Sequence, residues 1–310
     1  MKLARYRSAA GPERLGIVTA SPGGERLLDV ATLAAARGTG AVPGSMMALI
    51  DGGEAAMDTL RELLAWAAPR ADRAWTDDPD EVQWLTPVPP RSMICAGRNF
   101  GRHKLESVQG RPAGASRLHS DFPTGFVKLG RTLVPHRSRV KRPDGVLDLD
   151  YEAEIVLVLG QAVESGGAGD PAHAIFGYTV FNDLSARQWQ LREMDNGLLM
   201  LGKNFPGFGP LGPVILTADE VPDPTALTVW LKVNGELRQR ADCRDLIFGF
   251  EALVAFWSRV GLGPGDLIAT GTPAGVALHH RPDPHAWYLQ PGDRVEAGVD
   301  GLGVLETFIV

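Results

Sequence analysis

The chain is short of cysteine, of lysine, of net positive charge and of long apolar runs, and each shortage excludes something. Cys95 and Cys243 are the only cysteines in 310 residues, far apart and with no Cys or His at zinc-ligand spacing, which argues against a disulfide framework or a zinc site. Both thiols read as buried small hydrophobes. No apolar run has the make-up of a signal peptide or the length of a membrane span, so a cytoplasmic location is the expectation. A formal net charge of −6 offers no basic face to displace counterions, which disfavours nucleic acid and anionic membranes as partners. Neither a long-period repeat nor a low-complexity segment is present, which disfavours solenoids and propellers.

With 44% hydrophobic residues, the chain can build one large core with a smaller unit beside it. The first segment alternates strand-like runs such as Leu15-Gly16-Ile17-Val18 with turns, and an amphipathic helix near residues 55–67 then sets Leu60, Leu63 and Leu64 on one face. From Pro69 to Pro90 the composition shifts to Pro, Asp and Arg, as in a linker. The expected division is a small α+β domain over residues 1–80 and a β-rich domain over 81–310. In the second unit β-branched runs recur at 93–96, 149–160, 177–181, 214–217, 228–233, 266–270 and 294–297, with a helix over 250–260 ended by Gly261. Pro264-Gly265-Asp266 and Pro291-Gly292-Asp293 each precede such a run, predicting two strands entered through similar tight turns.

Around residue 150 the strand period of two puts Asp150, Glu152 and Glu154 on one face, with Leu149, Tyr151, Ile155 and Leu157 on the other. Carboxylates about 6.6 Å apart repel unless a cation sits among them, and all-oxygen ligation selects Mg2+, Mn2+ or Ca2+ over Zn2+. A solvated polar face would carry the same residues. Asp183 ends a strand-like run and opens a helical pattern in which Arg187 and Gln190, four and seven positions on, share its face. Capping the helix would also suit Asp183. Only six of the 31 basic residues are lysine, so Lys203, beside Gly202 in an apolar context, points to chemistry at an enolate or carboxylate. From Arg98 to His119 the cations Arg98, Arg102, Lys104, Arg111 and Arg117 meet only Glu106, an island that either attracts a small anion or is simply solvated. Within it His103 and Glu106 are three apart, neighbours on one helical turn.

The Asp150-Tyr151-Glu152-Ala153-Glu154 strand, Asn182-Asp183 with Ser185-Ala186-Arg187 and Gln190, Gly202-Lys203-Asn204-Phe205, and Pro264-Gly265-Asp266 running into Thr270-Gly271-Thr272-Pro273 together resemble the fumarylacetoacetate hydrolase family. The resemblance spans about residues 90–310. It implies a mixed β-sandwich roll, Mg2+ or Mn2+ held by Glu152, Glu154 and Asp183 with Asp150 behind them, and a homodimer. It also implies that residues 1–80 are similar to the extra amino-terminal domain of many bacterial members.

In hydrolytic members a His–Glu pair on a lid activates water; here that pair is His103 and Glu106, and residues 110–123 lie where a specificity lid would be. The expected reaction is metal-dependent hydrolysis of a carbon–carbon bond in a 2,4-dioxo acid. Arg187 and Gln190 would bind the substrate acid, Lys203 the enolate, and Thr272 with the amides around Gly271 the far end. The same enolate chemistry serves decarboxylation of an oxo acid or isomerisation of a hydroxydienedioate. A non-catalytic oxo-acid-binding protein would share the fold, but buried charges without a ligand to satisfy them are costly, which argues against it.

Overall fold

The computed structural model describes residues 1–8, 11–21, 24–70, 75–89, 93–108, 121–163 and 170–310. Among them, a twelve-stranded mixed sheet packs on a five-stranded one. At the middle of the large sheet Gly209–Thr217, Ile175–Asn182, Ala153–Leu159 and Leu267–Ala269 lie side by side in that order. The strand Ala153–Leu159 has all seven residues buried, because both of its faces are covered. Ile155 and Leu157 point into the core shared with Leu231, Val295 and Leu305 of the small sheet. Val156 and Val158 point the other way, into a cluster with Leu33, Leu49, Leu60 and Leu63 of the amino-terminal helices. This is the β-rich mixed sandwich expected, with α+β composition.

The amphipathic stretch at 55–67 forms the second limb of a helix over Met46–Ala67, interrupted at Gly53, where φ is 56° and ψ −144°. The helix at Phe250–Trp257 runs on as one tight turn to Val260 and ends at left-handed Gly261. Both Pro-Gly-Asp turns precede strands, Leu267–Ala269 and Arg294–Val299, and each carries its Gly at positive φ, 82° and 102°. The sequence break at 69–90 does not interrupt the sheet: strand Lys2–Ser8 pairs with Gly209–Thr217 in the register Lys2↔Leu216. The described residues of 1–80 thus extend one edge of the same sheet and cover one of its faces. No helix is long and apolar enough to cross a membrane.

Candidate active site and metal centre

The expected strand over 149–160 breaks at Tyr151 and Glu152 into Leu149–Asp150 and Ala153–Leu159. Side chains capture the backbone there: Tyr151 N donates to its neighbour Asp150 Oδ1 (2.8 Å), and Glu152 N donates to Asn182 Oδ1 (3.0 Å). The break leaves Glu152 beside Asp183, whose N–H donates to the Glu152 carbonyl at 2.8 Å. The helix expected to begin at Asp183 begins instead at Arg187, after the short strand Ser185–Ala186. Asp183 therefore enters from a strand end, and Arg187 and Gln190 are joined directly, with Arg187 Nη1 donating to Gln190 Oε1 at 2.7 Å.

The side chains of Glu152, Glu154 and Asp183 offer carboxylate oxygens that all lie within 4.8 Å of one another, and all three are buried. Lys203 Nζ bridges Glu152 Oε2 (2.6 Å) and Asp183 Oδ2 (2.7 Å). Arg187 lies between Asp150 Oδ2 and Glu152 Oε1, each 2.7 Å away. Asp150 also accepts the N–H groups of Ala277 (2.8 Å) and Leu278 (3.0 Å), so it anchors Arg187 from behind the cluster. Lys128, on the strand Gly125–Lys128, completes the set with its Nζ 2.6 Å from Asp183 Oδ1 and bonded to the Lys203 carbonyl.

Four buried carboxylates, Asp150, Glu152, Glu154 and Asp183, thus face three buried cations, Lys128, Arg187 and Lys203. The imbalance falls on Glu154. Burial would raise Glu152, but Lys203, Arg187 and His103 outweigh it and hold that carboxyl below its usual range. Glu154 is pushed well up by burial and by the neighbouring Asp183 and Glu152. A divalent cation held by Glu152, Glu154 and Asp183 fits this cluster, since the donors are all oxygen and the extra positive charge answers the excess carboxylate.

A cavity of about 200 Å3 opens at the cluster, lined among others by Glu152, Glu154, Lys203, Arg187, Gln190 and His103. His103 sits on the helix Gly101–Val108, whose start is held by Asp245 Oδ2 accepting from Arg102 N at 3.2 Å. Its Nδ1 is 3.7 Å from Glu106 Oε2 and has no hydrogen-bond partner among the described residues. Glu106 is fixed in turn by the Gly275 N–H at 3.2 Å. Burial raises the Glu106 carboxyl, yet His103 and that N–H more than offset it and leave it below its usual range.

At the far end the structure differs from expectation. The Gly271 N–H donates to Glu154 Oε2 (2.9 Å), so it orients a carboxylate of the cluster and is not free for substrate. Thr272 lines the cavity, but its hydroxyl donates to the Ala153 carbonyl (3.0 Å) and accepts from Gln239 (2.9 Å). Arg111, Arg117 and most of the expected lid lie at 109–120, outside the described residues.

The model of the family described as Fumarylacetoacetate (FAA) hydrolase C-terminal matches residues 92–310. The chain belongs to the fumarylacetoacetate hydrolase family. This family member is 34% identical over 314 residues to the human protein named oxaloacetate tautomerase FAHD2A, mitochondrial, covering 100% of this chain and 92% of the relative. It is 32% identical to oxaloacetate tautomerase YisK of Bacillus subtilis, over 86% of this chain and 87% of the relative. Its fold superposes with a TM-score of 0.72 on maleylpyruvate hydrolase from Sphingobium sp. SYK-6 in complex with manganese(II) and pyruvate, at 28% identity over 100% of this chain and 99% of that one. The fumarylacetoacetate hydrolase relatives are enzymes acting on small molecules, and a manganese-bound neighbour together with the buried triad points to a divalent metal here.

Three residues at this site escaped sequence reasoning: Lys128, Arg98 and His279. Lys128 carried the signal used for Lys203, a rare lysine in an apolar run, Phe126-Val127-Lys128-Leu129. Arg98 was seen only as part of the cationic island, yet it lines the cavity at a positive φ of 51°. His279 had no local signal, since its place depends on how the turn after Gly275 folds back.

Proposed function

We propose that the protein is a divalent-metal-dependent tautomerase of short 2-oxo diacids, interconverting the keto and enol forms of oxaloacetate. The observation that carries this reading is the meeting of a proton carrier, His103, with the carboxylate cluster in one cavity of about 200 Å3, a size that suits a four-carbon diacid. Relatives that match nearly their whole length to this chain and are named oxaloacetate tautomerases support it.

His103 takes a proton from the carbon between the oxo group and the far carboxylate, then returns it to the oxo oxygen. The C–H electron pair becomes the carbon–carbon double bond and the carbonyl π pair becomes a lone pair on oxygen, so nothing is consumed. Glu106 orients the ring, and the Gly275 N–H holds Glu106. Arg187 and Lys203 neutralise negative charge as it moves towards the oxygen. A divalent cation on Glu152, Glu154 and Asp183 would supply Lewis-acid stabilisation of that same charge.

A second reading is the hydrolysis of an acylpyruvate, favoured by the His103–Glu106 pair, which could equally activate water. The two are separated by giving the Mn2+-loaded protein enol-oxaloacetate and, separately, maleylpyruvate and fumarylpyruvate, following enol absorbance and resolving products. Tautomerisation requires faster enol decay without release of pyruvate. Cleavage of an acylpyruvate with unaltered enol decay would overturn the tautomerase reading in favour of hydrolysis. His103→Ala should slow the reaction by about 10^2–10^4-fold while sparing metal affinity.

A further inference from the structure

His279 lines the same cavity as His103 and the carboxylate cluster, with the two ring centroids 5.6 Å apart. The turn that carries it, Ala277–His279, is held from both sides. Ala277 and Leu278 give their N–H groups to Asp150, while the next residue, His280, stacks on Trp287 at 3.5 Å and 9°, and Arg238 packs 4.0 Å from the same indole. No described residue hydrogen-bonds the His279 ring, so a pre-oriented donor and acceptor face the cavity without a partner among the described residues. Burial, with His103 and Arg187 nearby, lowers its pKa to about 4 against the opposing pull of Glu106 and Asp150, so the ring is neutral at neutral pH. The wall is apolar at Leu191, Met194 and Leu199, and Arg98 is a cationic side chain on it that lies outside the carboxylate cluster and could meet a second anionic group. Glu106, the nearby acid, is already engaged by Gly275 and His103.

Resting on the oxo-diacid reading above, we propose that His279 is a specificity-determining residue whose ring N–H binds the far carboxylate of the substrate. A 2-oxo monoacid would leave that donor unpaired, and a diacid satisfies it.

The test is calorimetric titration of oxaloacetate and of oxalate, which lacks a far carboxylate, into Mn2+-loaded full-length wild type, His279→Phe and His279→Asn. His279→Phe should weaken oxaloacetate by about 10–100-fold and oxalate by less than about 3-fold, with His279→Asn recovering part of the loss because it keeps a donor. Equal weakening of both ligands, or of neither, would overturn the proposal. Thermal unfolding of each variant separates this from a folding defect, since a misfolded variant loses oxalate as well. In turnover the same variant should raise KM for oxaloacetate and leave kcat nearly unchanged. A wild type that binds with this His279 dependence but does not speed enol decay would refute the reaction assigned above and leave the subsite standing.

Discussion

Glu154 has burial and two neighbouring carboxylates against it, with the pull of Lys203 and the Gly271 N–H in its favour. Asp183, by contrast, has two ammonium groups within hydrogen-bond reach, Lys128 at 2.6 Å and Lys203 at 2.7 Å. Removing one of them leaves a buried charge poorly matched, so Lys128→Met should destabilise the metal-free protein by about 3 kcal/mol or more in urea unfolding. A variant as stable as wild type would show that Lys128 is not needed to balance the cluster. At this scale the sequence was informative where chemistry is local: the period-two acids and the Gly-flanked Lys203 could be read directly. The partners of those residues were not legible, because Lys128, 55 positions from Asp183, reaches it only through sheet pairing. The sequence leaves the Gly271 amide open to substrate for the same reason, as nothing local places Glu154 opposite it.

Elements set where these side chains can go. Lys203 lies on a single tight turn, Leu201–Lys203, pressed against the start of the helix Arg187–Asp195. A Cβ on Gly202 would lie 2.6 Å from Gln190 N and 2.8 Å from its Cα, and a backbone neighbour cannot swing aside. Gly202→Ala should therefore displace Lys203 and cut kcat by at least about 10-fold, with about 1–3 kcal/mol lost from stability. Retention of full activity would mean that the turn and the helix can part without consequence.

Away from the site, His136 accepts the Glu306 N–H at 3.1 Å, and burial, with Arg137 nearby, lowers its pKa to about 4. A depressed histidine keeps its stabilising effect above about pH 6.5, where both states are neutral, and loses it as the pH falls towards 4 because the unfolded chain takes the proton first. Wild type should thus lose about 2 kcal/mol from this group between pH 7 and 5, and His136→Asn should lose correspondingly less. Equal losses in both proteins, measured by urea unfolding at the two pH values, would contradict this. Most strands of the second unit were legible from their β-branched runs. The start of the helix at Arg187 was not, because Asp183 and Ser185 carry capping character while side-chain bonds and a two-residue strand delay the helix.

On the scale of the whole molecule, the amino-terminal strands and helices share a sheet and an apolar cluster with the metal-site strand Ala153–Leu159. The composition of residues 69–90 suggested a boundary, since local sequence cannot reveal that Lys2 pairs with Leu216. Full-length protein is expected to melt in a single calorimetric transition, and two separated transitions would show that the units unfold independently.

On the proposed function, the buried carboxylate cluster, with one negative charge in excess, holds a divalent cation that serves enolisation. The most direct test is calorimetric titration of Mn2+ into chelator-treated wild type and Glu154→Gln. One site per chain is expected in the wild type, and at least about 100-fold weaker binding in the variant, since both a ligand and the excess charge are gone. Equal affinity in the two proteins, or no stoichiometric binding by the wild type, would contradict it.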